Sequence, residues 1–254
     1  SGEGLVLSLA QTGFFGGNPM AGDFNCDGRE DLALGRFWAA ADAEAKSVGV
    51  VIVYYAGPGG LDLTAGAPYQ GITQYEVTGQ PGAAGDGFGQ TLAAGNFNGD
   101  VEPTSGHPCV DLAVASVGAG AGEVYVIPGG PSGLDPSTAQ TFWTGLPEIP
   151  GRPGVPGNLP SDPADTRIRL LGLSMAVGRI DGDRYTDLVI GAPWEGQRRG
   201  GAYALLGSSA GLTSMGAAHW TLTTDGVFNA GLEPLIGSTP YLGLGEELGR
   251  RVGT

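Results

Sequence analysis

A pattern that recurs along the chain constrains its fold more than any other feature. An aromatic residue or a leucine followed by glycine occurs at Phe15-Gly16, Phe88-Gly89, Leu171-Gly172 and Leu248-Gly249. In the first three cases another glycine follows six residues later, and a polar loop then leads into the short apolar segments 31–35, 111–115 and 187–191. The loops start at Asp23, Asn96 and Arg179, which are 73 and 83 residues apart. Each unit therefore has room for about four strands, and a repeated four-stranded sheet is typical of a β-propeller blade.

The composition favours the same all-β fold. The 254 residues include 49 glycines and 18 prolines spread along the chain, which predicts short strands joined by tight turns. Disorder is the alternative for such a composition, but apolar runs such as 48–55 recur at intervals. Helical periodicity is nearly absent. The proline-rich stretch 146–163 is predicted to be a surface insertion in the second unit, with a domain linker as the alternative.

The charge of the chain excludes two classes of partner. The net charge is −14, and Lys46 is the sole lysine. Nucleic acids and anionic lipid surfaces need clustered cations on the protein, so we expect neither as a partner. No apolar stretch approaches the roughly 20 residues that a membrane-spanning helix needs. The carboxylates either form a soluble acidic surface or surround bound cations.

The first polar loop, residues 23–31, has the composition of a calcium site. Oxygen-bearing side chains fall at relative positions 1, 3, 5 and 9, and Arg29 can add its backbone carbonyl; the side chains belong to Asp23, Asn25, Asp27 and Asp31. Calcium prefers six to eight such oxygen ligands. The alternative is a turn held only by side-chain hydrogen bonds to its own backbone. An EF-hand is excluded because position 12 is Leu34 rather than glutamate and the flanks are strands.

The other two loops depart from this pattern. Loop two offers Asn96, Asn98, Asp100 and Asp111, with about seven extra residues before Asp111, and we expect it to bind calcium more weakly. Loop three offers Asp181, Asp183 and Asp187 but begins with Arg179. Its carboxylates either bind metal or are satisfied by the guanidinium of Arg179. The sequence thus predicts that loop one is the most complete site.

Three elements of the sequence together resemble the FG-GAP repeat. They are the Phe-Gly pair, the loop Gly-Asp-x-Asn-x-Asp-Gly-x-x-Asp-Leu, and Gly-Ala-Pro at residues 191–193. This repeat is found in the β-propeller of integrin α subunits and in many secreted bacterial proteins. The resemblance covers nearly all of 1–254 and implies about three to four blades, with a truncated fourth unit from about residue 245. It further implies loops that hold Ca²⁺ at the propeller rim and a seven-bladed ring completed by another segment or chain.

Both cysteines lie in or beside these loops. Cys26 is inside loop one and Cys109 is in the loop-two insertion, at matching rims of neighbouring units. They form either a disulfide, which the oxidising compartment implied by weak calcium loops favours, or two free thiols.

The resulting functional prediction is an extracellular or cell-surface module for adhesion or protein–protein contact, with structural calcium. A glycan-binding propeller is one alternative, suggested by Trp38, Trp143, Trp194 and Trp220, and a non-catalytic part of a secreted hydrolase is another. Neither His107 nor His219 lies in zinc-site spacing, and we predict no enzyme activity.

Overall fold

The computed structural model describes residues 18–37, 48–64, 67–118, 122–144, 158–159, 170–194 and 200–221. These residues form three separate sheets, each built from one sequence repeat, and we call them units 1, 2 and 3. The all-β prediction is confirmed, and the blade-like sheets fit a propeller. A closed ring is not seen in the described ranges, and the predicted fourth unit lies outside them.

Unit 1 is a four-stranded antiparallel sheet whose strands are paired in sequence order: β1 (Met20–Gly22), β2 (Asp31–Arg36), β3 (Val50–Tyr54) and β4 (Gln70–Ile72). It is followed by the one α-helix in the described residues, α1 (Gln74–Thr78). Thr73 and Glu76 form a capping box at the start of this helix, and Gly79 ends it in the left-handed conformation.

Unit 2 has five strands: β5 (Phe88–Gly95), β6 (Asp111–Ser116), β7 (Glu123–Ile127), β8 (Gln140–Thr144) and β9 (Asn158–Leu159). The short strand β9 pairs in parallel with β8, whereas the other neighbours are antiparallel. β9 is the described part of the proline-rich stretch, so these two residues extend the second sheet. The rest of 146–163 lies outside the described residues.

Unit 3 repeats the four-stranded antiparallel arrangement with β10 (Ser174–Gly178), β11 (Asp187–Ala192), β12 (Gly201–Leu206) and β13 (Thr213–Thr221). No helix in the described part of the chain is long and apolar enough to cross a membrane.

The three polar loops occupy equivalent places in the three sheets. Each joins the first strand of its unit to the second, and its last aspartate pairs with the glycine that ends the first strand; the pairs are Gly22–Asp31, Gly95–Asp111 and Gly178–Asp187. The loops therefore lie at the same edge of successive sheets.

The core consists of two apolar layers, one between units 1 and 2 and one between units 2 and 3. The middle sheet is buried on both faces, so all residues of β6 and β7 are buried. Leu112 and Ile127 face unit 1, whereas Ala113 and Val126 face unit 3. The alternation of side chains along a strand explains this division.

The backbone conformation and the close packing of neighbouring sheets explain why glycine follows the aromatic residue or leucine in each repeat. Gly89 and Gly172 have φ values of 86° and 87°, which disfavour other residues. A Cβ on Gly172 would lie 2.6 Å from the Cβ of Ala115 in the preceding sheet. A side chain at this position would therefore separate neighbouring sheets.

Candidate metal-binding loops

The last aspartate of each loop is a hydrogen-bonded brace. One carboxylate oxygen accepts from the backbone N–H at the second loop position, and the other accepts from the backbone N–H just beyond the third strand. Asp31 accepts from Phe24 and Ala56. Asp111 accepts from Phe97 and Gly129, and Asp187 accepts from Ile180 and Gly207. The six donor–acceptor distances are 2.5–3.0 Å. All three carboxylates are buried. They tie each loop to its own sheet, a role that the sequence did not reveal.

Burial raises the pKa of two of these carboxyl groups, because the ionised form is poorly solvated inside the protein. Desolvation raises the pKa of Asp111 to about 7, against the lowering effect of the backbone N–H donors from Gly129 and Phe97. Desolvation likewise raises the pKa of Asp31 to about 6, and the negative charges of Asp23 and Asp27 contribute in the same direction. A bound cation would offset this cost by stabilising the ionised form.

In chelator, Asp111 is expected to make stability fall as the pH rises from about 4 to about 7. The unfolded carboxyl loses its proton near the ordinary pKa of 3.8, whereas the folded one keeps it up to about 7. Between these values folding takes up a proton, so a higher pH favours the unfolded state. Melting curves across this range should show the effect as a difference between the wild type and Asp111→Asn, which does not titrate. Parallel pH profiles for the two proteins would contradict it.

Loop three brings three carboxylates together. One oxygen from each of Asp181, Asp183 and Asp187 lies within 4.8 Å of the other two. Calcium–oxygen distances of about 2.4 Å place opposite ligands of one ion about 5 Å apart, so these three oxygens fit a shared ion. Asp187 is buried and the other two are exposed, which leaves the open side of the loop available for water or further ligands.

The arginines of loop three do not replace a metal in the structure. Within the described residues, Arg179 makes no ion pair with any of the three aspartates. Arg184 donates to the hydroxyl of Tyr185 at 2.8 Å, and its guanidinium carbon lies 4.8 Å from the centre of that ring. Of the two alternatives for this loop, the geometry therefore favours the metal over the arginine.

Loop two contains buried oxygens that have no partner. Among the described residues, Asn96 Oδ1 and Asp100 Oδ1 are buried without a hydrogen bond. An unsatisfied buried oxygen is costly, and these atoms belong to two of the four predicted ligands. The Asn96 amide instead donates to the backbone carbonyl of Asp100 at 2.7 Å, and Asn98 donates to Asp100 Oδ2 at 2.9 Å. Carboxylate and amide oxygens are ligands that calcium prefers, so these residues are chemically suited to a cation.

Loop one differs from the expectation that it is the most complete site. The guanidinium of Arg29 donates to Asp27 Oδ2 at 3.0 Å, and both oxygens of Asp23 accept from the backbone N–H groups of Asp27 and Gly28. Arg29 was predicted to contribute only its backbone carbonyl. Asp27 is thus engaged by Arg29 in this structure, and the order of the three loops as metal sites stays a prediction.

Cys26 stands where the other loops have glycine. Its φ is 60°, and the equivalent Gly99 and Gly182 have φ values of 68° and 83°. Cys26 forms a disulfide with Cys109, 83 residues away, which confirms the disulfide over the free thiols. The cross-link holds a non-glycine residue in a conformation that is normally unfavourable.

The loop-two insertion lies over loop one. A Cβ on Gly28 would lie 2.8 Å from the imidazole ring of His107, so that ring covers the turn of loop one. The backbone N–H of Val110 donates to the carbonyl of Asp23 at 2.9 Å, and Thr186 donates equivalently to the carbonyl of Asn96 at 3.1 Å. Each loop is therefore bonded to the loop before it.

Two of the four tryptophans, Trp143 and Trp220, lie on strands whose pairing shows which face they occupy. Trp143 lies opposite Glu123 and Trp220 lies opposite Ala202, positions that place them on opposite faces of their respective sheets. Trp38 lies outside the described residues. Glycan binding stays a prediction without geometric support.

Residues 207–211 have the spacing Gly-x-Ser-x-Gly, which the sequence reasoning missed. In hydrolases with a nucleophile elbow, this spacing places a serine between a strand and a helix. Here the central serine is Ser209, and the segment joins strand β12 to strand β13 rather than a strand to a helix. The nearby His219 stacks on Tyr203 with 4.4 Å between ring centroids. The elbow context is thus missing from this part of the described structure.

Comparison with known families identifies the third unit. Residues 171–205 match the model of the FG-GAP repeat. The match spans β10, loop three, β11 and most of β12, and so includes Asp181, Asp183 and Asp187. A search of curated proteins found no match to the chain.

Proposed function

We propose that this chain, which contains an FG-GAP repeat, is an extracellular β-propeller segment for protein–protein contact whose loops are braced by calcium. The observation that carries the proposal is the coincidence of two findings in loop three. The three converging carboxylate oxygens lie inside the segment that matches the repeat. Loop two supports the proposal independently through its two unpartnered buried oxygens.

Calcium supplies positive charge at places where the chain gathers carboxylates that its own arginines leave unneutralised. Asp187 and Asp111 already brace their sheets through backbone N–H groups, and a cation beside them would add a link to the outer part of the same loop. Since each loop is hydrogen-bonded to the preceding one, stabilising one loop also restrains its neighbour. The proposed role of the calcium is therefore structural.

The disulfide supports an extracellular location, because such bonds persist in oxidising compartments. The net charge of −14 keeps the module away from nucleic acids and anionic membranes. Adhesion is the form of protein contact that the repeat suggests. The absence of enzyme activity stays a prediction.

Calcium is expected to raise the melting temperature relative to excess chelator. A hundredfold excess over the dissociation constant corresponds to about 2.7 kcal/mol for each occupied site. The geometry predicts that Asp183→Ala removes more of this calcium effect than Asp27→Ala, since Asp27 is engaged by Arg29. Calorimetric titration and thermal melting of both variants measure it.

The matched control is Asp62→Ala, which removes an exposed aspartate outside the three loops and should keep the full calcium response. Identical melting of the wild type in calcium and in chelator would refute structural calcium. A larger loss for Asp27→Ala than for Asp183→Ala would restore loop one as the main site.

A further inference from the structure

Both junctions between units use the same backbone contact. The glycine-rich turn after the third strand of one unit donates an N–H to a carbonyl in the loop of the preceding unit. Gly130 donates to Phe24 at 3.2 Å, and Ser208 donates to Phe97 at 3.1 Å. The side chains of Phe24 and Phe97 are fully buried in the layer between the sheets.

A second contact fixes the leucine of the same turn. The backbone N–H of Leu212 donates to Gln140 Oε1 at 3.0 Å, and Gln140 Nε2 donates back to the carbonyl of Leu212 at 3.0 Å. At the other junction, Gln70 donates to the carbonyl of Leu134 at 2.8 Å, and the hydroxyl of Tyr55 accepts from Leu134 N–H at 2.9 Å. Leu134 and Leu212 are each 3% exposed.

Unit 1 has the same turn, and none of the contacts described above is made to it by another described unit. Leu61, the equivalent of Leu134 and Leu212, is 40% exposed. Gly57, the equivalent of Gly130, donates instead to the carbonyl of Gly60 inside its own turn, at 3.1 Å. A Cβ on Gly60 would meet no atom within 4 Å, whereas one on Gly133 would lie 2.3 Å from the hydroxyl of Tyr55.

The sheet of unit 1 is also incompletely covered on the face turned away from unit 2. Leu32, Leu34 and Ile52 are partly exposed there. Their equivalents in unit 2, such as Leu112 and Val114, are fully buried against unit 1. We call this face together with the turn 57–61 the leading face.

Unit 3 carries the complementary half of the junction at its loop. Ile180 occupies the position of Phe24 and Phe97 but is 43% exposed. Within the described residues, the carbonyls of Arg179 and Ile180 accept no backbone hydrogen bond, unlike those of the other two loops. Val189, Ala202 and Ala204, on the face of this sheet that points away from unit 2, are already buried. The open part is therefore the loop edge, which we call the trailing edge.

We propose that a second copy of this chain docks its trailing edge on the leading face of unit 1, in a head-to-tail contact. The occupant is a second copy because this one chain carries the open turn, in unit 1, and the open loop edge, in unit 3, of a contact that it uses twice internally. Such a contact is heterologous, so it builds rings or open chains rather than only twofold dimers. The proposal rests on the proposed role as a protein-contact module and names the partner.

The contact should be weaker than the internal junctions. By strand pairing, Ala218 in β13 stands where β4 has Gln70 and β8 has Gln140. The glutamine that would hold Leu61 is therefore missing from the trailing edge. The net charge of −14 on each copy also opposes association, and salt and bound calcium reduce that repulsion.

Sedimentation velocity of the 254-residue chain, over rising concentration in salt and calcium, tests the proposal. The wild type should associate with rising concentration, and Leu61→Asp and Ile180→Asp should each weaken association at least tenfold. Val101→Asp, which changes an aliphatic residue that is 50% exposed in the loop-two insertion, is the matched control and should behave as the wild type. Ala218→Gln should strengthen association.

Mixing the two interface variants gives a stricter test of the head-to-tail arrangement. Leu61→Asp keeps its trailing edge and Ile180→Asp keeps its leading face, so the mixture should form a two-chain complex that neither forms alone. A wild type that stays monomeric at every concentration overturns the proposal, as does a mixture without a complex. Melting of the same samples with and without calcium reports separately on the proposed function.

Discussion

Replacing Asp187 with alanine is expected to lower the free energy of unfolding by about 2–6 kcal/mol in chelator. Asp187 is fully buried and accepts backbone N–H bonds from Ile180 and Gly207. Its removal leaves two donors without a partner, and each buried unsatisfied donor costs about 1–3 kcal/mol. Urea unfolding of the variant in chelator measures this cost without any contribution from metal.

Asp183→Ala is the matched comparison, since Asp183 belongs to the same cluster but is exposed. Its loss should matter in calcium and have little effect in chelator. If Asp187→Ala were as stable as the wild type in chelator, its carboxylate would act only as a metal ligand. If Asp183→Ala were equally damaging in chelator, the distinction between brace and ligand would be wrong.

Removing the disulfide by Cys26→Ala with Cys109→Ala is expected to cost about 4 kcal/mol in the chain-entropy model for a cross-link of this span. The bond joins residues 83 apart and ties loop one to the insertion of loop two. A second effect comes from the backbone, because Cys26 has a φ of 60°. Alanine must keep this unfavourable conformation without the cross-link that enforced it.

The backbone effect can be separated by Cys26→Gly with Cys109→Ala. This pair should be about 1 kcal/mol more stable than the alanine pair, because glycine adopts positive φ without strain. Reduction of the wild type with dithiothreitol should reproduce the loss seen in the alanine pair. Equal stability of the glycine and alanine pairs would show that loop one relaxes to another conformation once the disulfide is gone.

Much of the fold followed from local sequence. The spacing of the Gly, loop and Asp-Leu motifs predicts where the second strand of each unit begins, and the structure starts β2, β6 and β11 at Asp31, Asp111 and Asp187. The sequence also predicted a disulfide between Cys26 and Cys109, with free thiols as the alternative, and the structure contains the disulfide. These predictions succeed because turn chemistry and strand alternation depend on neighbours in the chain.

The arrangement of the side chains within each loop did not follow from local sequence. Loop one has the most complete motif, yet Arg29 engages Asp27. Loop three has the most divergent motif, yet its carboxylate oxygens converge. Counting oxygen-bearing residues predicts which groups are available, but their direction depends on the hydrogen bonds that each side chain makes.

The sequence by itself determined an all-β chain of repeated units with acidic loops at equivalent places, because repeat spacing and turn residues act over short distances. Only the tertiary structure decided that the last aspartate of each loop braces a strand end 18 to 25 residues further on. It also decided that Leu61 is open where Leu134 and Leu212 are covered. The first depends on how the strands pair within one sheet and the second on how neighbouring units pack, so neither follows from the residues of a single loop.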